Sequence, residues 1–144
     1  MKLIADEHVS QKIVRAVSEM ALDPNWNLSS IITDGNEFRG QHDEDWISIF
    51  AGNGGQVIVS ADRKMLKRPT LIKKVCQLGL IGIYFPAEWA ESRCGRQAAH
   101  MLYWWPRIEQ TILACQKGTA WVVPKGFGSG DLRQYEPKNK AVPT

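Results

Sequence analysis

The sequence predicts an α/β fold: a three-layer α/β/α sandwich with helices on both faces of a mainly parallel sheet. Short apolar, β-branched runs alternate along the chain with segments whose apolar residues recur at helical spacing. Short turns rich in glycine, proline and asparagine separate them. The run QVIVSA (Gln56–Ala61) is apolar at consecutive positions, as a strand covered on both faces must be.

The elements follow in order. Lys2–Ala5 (KLIA) reads as the first strand, and Ser10 caps a helix that repeats Ile13, Val14, Val17, Met20 and Ala21 on one face. DPNWN breaks that helix, and Leu28–Thr33 (LSSIIT) is a second strand that stops at Asp34, Gly35 and Asn36. A second helix begins near Asp43, where Asp43, Glu44 and Asp45 suit the positive end of the helix dipole and Trp46, Ile47, Ile49 and Phe50 follow. Gln56–Ala61 is the third strand. Pro69 fits the first turn of a third helix that Gly79 closes, and Leu80–Phe85 is the fourth strand. Arg96–Gln116 has helical spacing, with Pro106 expected to kink or restart it. TAWVV then reads as an edge strand. Beyond Pro124 the chain is rich in glycine, proline and charge without a period, so the division is one domain over 1–124 and a flexible tail over 125–144.

Composition limits the function classes. A chain of 144 residues has room for one core, and 44% hydrophobic with 23% charged residues is the balance of a folded globular protein. The charged trio at Asp6–His8 arrives too early for a secretory segment, and no apolar run is long enough to span a bilayer, so the expectation is a cytoplasmic protein with no membrane partner. Cys76, Cys94 and Cys115 are odd in number, widely spaced and remote from histidines, which implies reduced, unligated thiols.

Two strands, the first and the third, end in carboxylates: Asp6 and Asp62. Crevices in doubly wound sheets lie beyond the carboxyl ends of the strands, and the first turn of the second helix can present Asp43 to the same place. Two carboxylates about 4 Å apart repel by roughly 4 kcal/mol at an effective dielectric near 20, a large share of a typical total stability of about 5–15 kcal/mol. A positive partner is required. A hard divalent cation, Mg²⁺ or Mn²⁺, prefers oxygen ligands and tolerates an incomplete cage, and it activates water against phosphodiesters. Asp6, Asp43 and Asp62 are therefore the candidate catalytic and metal-holding residues, with Glu7 and Glu44 beside them. The plainer reading is that these acids cap helices and loops, neutralised by Arg63, Lys64, Lys67 and Arg68. The same four cations, in DRKMLKRP, would serve as phosphate contacts if a nucleic acid lies at the site. Lys12, Arg15, Lys73 and Lys74 flank them. His8 and His42 neighbour candidate ligands and suit proton transfer, whereas His100 reads as ordinary helix surface or core. Tyr103, Trp104 and Trp105 cannot share one helix face, so core packing or a homodimer surface is their first reading and stacking on RNA bases their second.

MKLIADEHVSQKIVRAV, HDEDWISIFA and GGQVIVSADRKM resemble the three signature blocks of the PIN-like nucleases, in particular the compact, VapC-like branch found as toxins of bacterial toxin-antitoxin pairs. The resemblance covers Met1 to about Met65. It implies a metal-dependent endoribonuclease, with RNA as substrate and a cognate antitoxin protein as partner. Asp6 matches the metal-binding Asp of the first block and Asp62 that of the third. The second-block acid falls on Asp43 or Glu44, and the spacing to Trp46 favours Asp43. Larger PIN domains carry a further acid on a middle helix, which has no match here. That gap supports an alternative: a non-catalytic PIN-like module that binds RNA or protein. A third reading is a phosphoacceptor receiver domain with Asp62 phosphorylated. It needs a hydroxyl after the fourth strand and a lysine ending the fifth, where this chain has Pro86 and Ala87, and Lys125 only after Pro124.

Overall fold

The computed structural model describes residues 1–32, 42–62 and 67–136. Its centre is a six-stranded sheet in the order β2-β1-β3-β4-β5-β6. The strands are β1 Lys2–Ala5, β2 Asn27–Ser30, β3 Val57–Ser60, β4 Ile81–Tyr84, β5 Ala120–Val122 and β6 Arg133–Tyr135. β1 to β5 run parallel, and β6 pairs antiparallel with β5. The helices are α1 Gln11–Met20, α2 Asp43–Gly52, α3 Pro69–Gln77 and α4 Cys94–Ala114, and a short 3-10 helix covers Ala87–Glu91. The expected three-layer α/β/α sandwich is the observed one.

Strand alternation sorts the core into two layers. Leu3, Ala5, Val57, Val59, Ile81 and Ile83 pack with Val14 and Val17 of α1 and Trp104, Trp105 and Ile108 of α4. Ile4, Ile58 and Tyr84 pack on the other face with Trp46, Ile47 and Phe50 of α2 and Leu71, Ile72 and Val75 of α3. Both faces of β1, β3 and β4 are buried, which explains their unbroken apolar runs. Ser10 caps α1 as expected, its hydroxyl accepting from the Lys12 N–H at 3.2 Å.

Four expectations change. β2 ends at Ser30, and Ile31 and Ile32 form a turn closed by the Ile32 N–H donating to the Ser30 hydroxyl. α4 runs unbroken through Pro106. The proline's missing N–H and ring clash cost about 3 kcal/mol, and burial of Trp104, Trp105 and Ile108 beside it is large enough to offset that. β5 is interior, because β6 covers it. Residues 125–136 therefore do not trail from the domain: Leu132 is buried in the α1/α4 core layer, and Arg133–Tyr135 completes the sheet. Among the described residues, no helix is long and apolar enough to cross a membrane.

Candidate active site

β1 and β3 lie side by side, with Leu3 opposite Val57 and Ala5 opposite Val59. The pairing carries past the end of β1, where the Asp6 N–H donates to Val59 O at 3.0 Å. This register brings Asp6 against the end of β3. The Ser60 hydroxyl donates to Asp6 Oδ2, and the same hydroxyl accepts from the Asp62 N–H at 3.2 Å. Asp6 Oδ1 accepts from the His8 N–H at 3.1 Å and, at 3.4 Å, from the Ala61 N–H. Ser60 thus ties the two strand-end acids together. It was not among the residues singled out from the sequence, although it stands inside the SADR stretch that marks Asp62.

Asp6 is 4% exposed. Burial pushes its carboxyl up from 3.8 to about 6, against the opposing pull of the Ser60 hydroxyl, the His8 charge and the Ala61 and His8 amides. Asp62 is less enclosed, its side chain 13% exposed, and His8 Nε2 stands 3.6 Å from its Oδ2 and 3.8 Å from Glu7 Oε1. The Glu7 side chain is open to solvent.

The α2 acids are arranged differently. Asp43 Oδ1 accepts from the Trp46 indole N–H at 3.0 Å, and Asp43 Oδ2 pairs with the Arg68 guanidinium at 2.9 Å. Glu7, His42, Asp43, Glu44 and Arg68 line one polar cleft of about 420 Å³. The first-strand and second-helix acids therefore meet through Glu7. Asp6 and Asp62 form a separate pair behind it, joined by Ser60 and His8. Lys67 is exposed beside Arg68, whereas Arg63 and Lys64 lie outside the described residues.

Whether these donors fit a divalent cation divides by residue. An ionised carboxylate offers about four lone-pair sites, and Asp6 uses three, so its charge is buried, under-compensated and able to take one more partner. Asp62, in contact with His8, adds a second oxygen donor of the kind hard cations prefer. The pair fits an incomplete cage, two protein carboxylates leaving the other positions of a hard cation to water. Asp43 does not fit as it stands, because Arg68 supplies its positive partner. Among the described residues no three His, Cys, Asp or Glu side chains gather closely enough to hold an ion.

The aromatic residues of α4 resolve clearly. Trp104 and Trp105 are 1% and 0% exposed, which leaves neither face free to stack on a base; Tyr103 is half-exposed. The buried indoles bond to Gly126 O and Glu109 Oε2, each at 2.8 Å.

The topology alone does not choose among doubly wound folds, since the order β2-β1-β3-β4-β5 is common to several of them. A family model described as a PIN like domain matches residues 1–87, which includes Asp6, Asp43, Asp62 and everything through β4. The chain belongs to the PIN-like domain family. That assignment makes the fold nuclease-type, since PIN-like domains are commonly nucleases. No match is found among curated proteins or among solved structures.

Proposed function

We propose that this PIN-like domain is a metal-dependent endoribonuclease that hydrolyses single-stranded RNA, acting as the toxin of a bacterial toxin-antitoxin pair. The observation that carries the hydrolase reading is the buried Asp6 carboxylate, tied through Ser60 to Asp62 at the carboxyl edge of a parallel sheet. Asp6 and Asp62 would hold Mg²⁺ or Mn²⁺. When bound there, the ion supplies a water activated near neutral pH and stabilises charge on the phosphodiester.

The chain's own residues do the remaining work. Ser60 fixes the Asp6 carboxylate by donating to one of its oxygens, and the Ala61 and His8 amides fix the other. His8, whose Nε2 is 3.6 Å from Asp62 Oδ2, would give a proton to the departing oxygen. Lys67 and, once released from Asp43, Arg68 would meet phosphates, and Arg63 and Lys64 join them in sequence.

The test is cleavage of unstructured and structured RNA by wild type, Asp6→Asn and Asp62→Asn, prepared identically to exclude contaminating nuclease. Wild type should cut unstructured RNA with Mg²⁺ or Mn²⁺ and stop with EDTA, and its RNA binding should weaken as salt rises. Both variants should be inactive. Cleavage surviving both substitutions defeats the assignment. Induction of the gene should slow bacterial growth if the toxin role is right.

A second reading, an RNA- or protein-binding module without hydrolysis, draws on the Arg68 contact, which occupies the carboxylate of Asp43. RNA binding with no metal-dependent cleavage would favour it.

A further inference from the structure

Asp43 is held from two sides, and the two holds differ in kind. The Trp46 indole donates to Oδ1 at 3.0 Å, and Arg68 Nη1 donates to Oδ2 at 2.9 Å. Trp46 is 2% exposed and belongs to the core layer shared by α2 and α3, so its indole stays where it is. Arg68 is free to leave. Its side chain is 44% exposed and that of Asp43 35%, and an exposed ion pair of this kind shifts an equilibrium by at most about five-fold. Only the side chain would move, because the Arg68 carbonyl is fixed at the start of α3, accepting from the Leu71 and Ile72 N–H groups at 3.0 and 3.3 Å.

The charge of the cleft decides what draws Arg68 away. Among the described residues lining it, Glu7, Asp43 and Glu44 carry carboxylates, and Arg68 is the one permanent cation. A phosphate entering by itself meets the excess of negative charge. A divalent cation entering by itself meets Arg68. Together they can exchange partners. Asp43 takes the guanidinium through Nη1, whereas two oxygens of a phosphate take both arms of the fork and hold it more strongly. Released, the Asp43 carboxylate is still oriented by the Trp46 indole and needs a new positive partner. Oxygen donors of that kind suit a hard cation.

We propose that Arg68 is a positioning residue that couples substrate to metal: it competes with a divalent cation for Asp43 until a phosphodiester of the RNA draws it away. The assignment rests on the metal-dependent RNA-hydrolase reading and adds an order to it, with the cation held tightly only when substrate is present. Such coupling is reciprocal, so the cation strengthens phosphate binding by the same factor.

The test is Mn²⁺ affinity, read from the electron paramagnetic resonance signal of the free ion, with and without saturating phosphorothioate-linked oligo(U), whose linkages resist hydrolysis. Mn²⁺ taken up by the oligomer alone is subtracted. Without the oligomer, Arg68→Gln should bind Mn²⁺ about two- to five-fold tighter than wild type, the range an exposed ion pair supports. Lys73→Gln removes an equal charge from the same helix and should match wild type. The oligomer should then tighten Mn²⁺ binding more in wild type than in Arg68→Gln, by that same factor, because Asp43 is already free in the variant. Equal Mn²⁺ affinity in wild type and Arg68→Gln, equal tightening by Lys73→Gln, or an identical effect of the oligomer on wild type and Arg68→Gln overturns the coupling and leaves a metal site at Asp6 and Asp62 intact. Absence of Mn²⁺ binding by all three proteins, with the oligomer or without it, removes the hydrolase reading and the coupling with it.

Discussion

Asp6 carries a conflict between stability and chemistry. Its folded-state pKa of about 6 is above its ordinary 3.8, so the folded protein binds the proton more tightly than the unfolded chain. The contribution is fully favourable below about pH 4 and is lost as pH rises through about 6. For the metal-free protein, urea unfolding in EDTA should show stability falling across that window. Asp6→Asn, which removes the charge but keeps a partner for Ser60, should flatten the profile and raise stability at pH 7 by up to about 3 kcal/mol, from roughly two pKa units. Unchanged stability in the variant would mean the carboxylate is better solvated than its burial implies. Arg68 gives a second test. Its contact with Asp43 is exposed and contributes at most about 1 kcal/mol, so Arg68→Gln should leave folding nearly untouched. If Asp43 is a metal ligand, calorimetry should then show tighter Mn²⁺ binding than wild type. At this scale the sequence was informative about which acids end strands, because an apolar run stopping at a carboxylate is a local pattern. It was silent on Ser60, whose role depends on a contact across two strands; it named Arg68 among four cations able to neutralise the acids, but the choice of Asp43 as its partner depends on packing across α2 and β3.

At the scale of elements, the parallel strands were legible because burial on both faces leaves continuous apolar runs, and α1 because its cap and period agree. β4 shows a constraint that only the fold reveals. Tyr84 lies across Gly82 two residues away, and a Cβ on Gly82 would meet the Tyr84 ring at 2.6 Å. Tyr84 is itself 1% exposed, so its ring has nowhere to retreat. Gly82→Ala should therefore destabilise the protein by about 1–3 kcal/mol, the usual cost of overpacking. The shift of the urea midpoint measures this, and a neutral result would show that the α2/α3 layer yields. β6 was not legible. Arg133–Tyr135 (RQY) is too short and polar to read as a strand, and it is specified by the exposed edge of β5 rather than by its own residues. Pro106 misled for the converse reason: its helix is set by the tryptophans it carries into the core.

Across the whole molecule, the segment after β5 closes the structure that the first 87 residues begin. The family match ends just past β4, while α4, β5 and the chain to Glu136 supply the second half of the α1/α4 layer. From this segment Gly126 O accepts from the buried Trp104 indole and Gly128 O from the Tyr103 hydroxyl, each at 2.8 Å. Lys125 pairs with Glu88 at 2.8 Å. Leu132 adds a buried side chain, and β6 covers the edge of β5. Ending the chain after Pro124 removes all of these. A lost buried leucine costs about 2–5 kcal/mol, and an orphaned buried indole N–H costs about 1–3 kcal/mol more. Against a total stability of about 5–15 kcal/mol, the shortened chain should melt well below the full-length protein or fail to fold. A truncated chain with full-length stability would show that residues 125–136 only decorate the sheet.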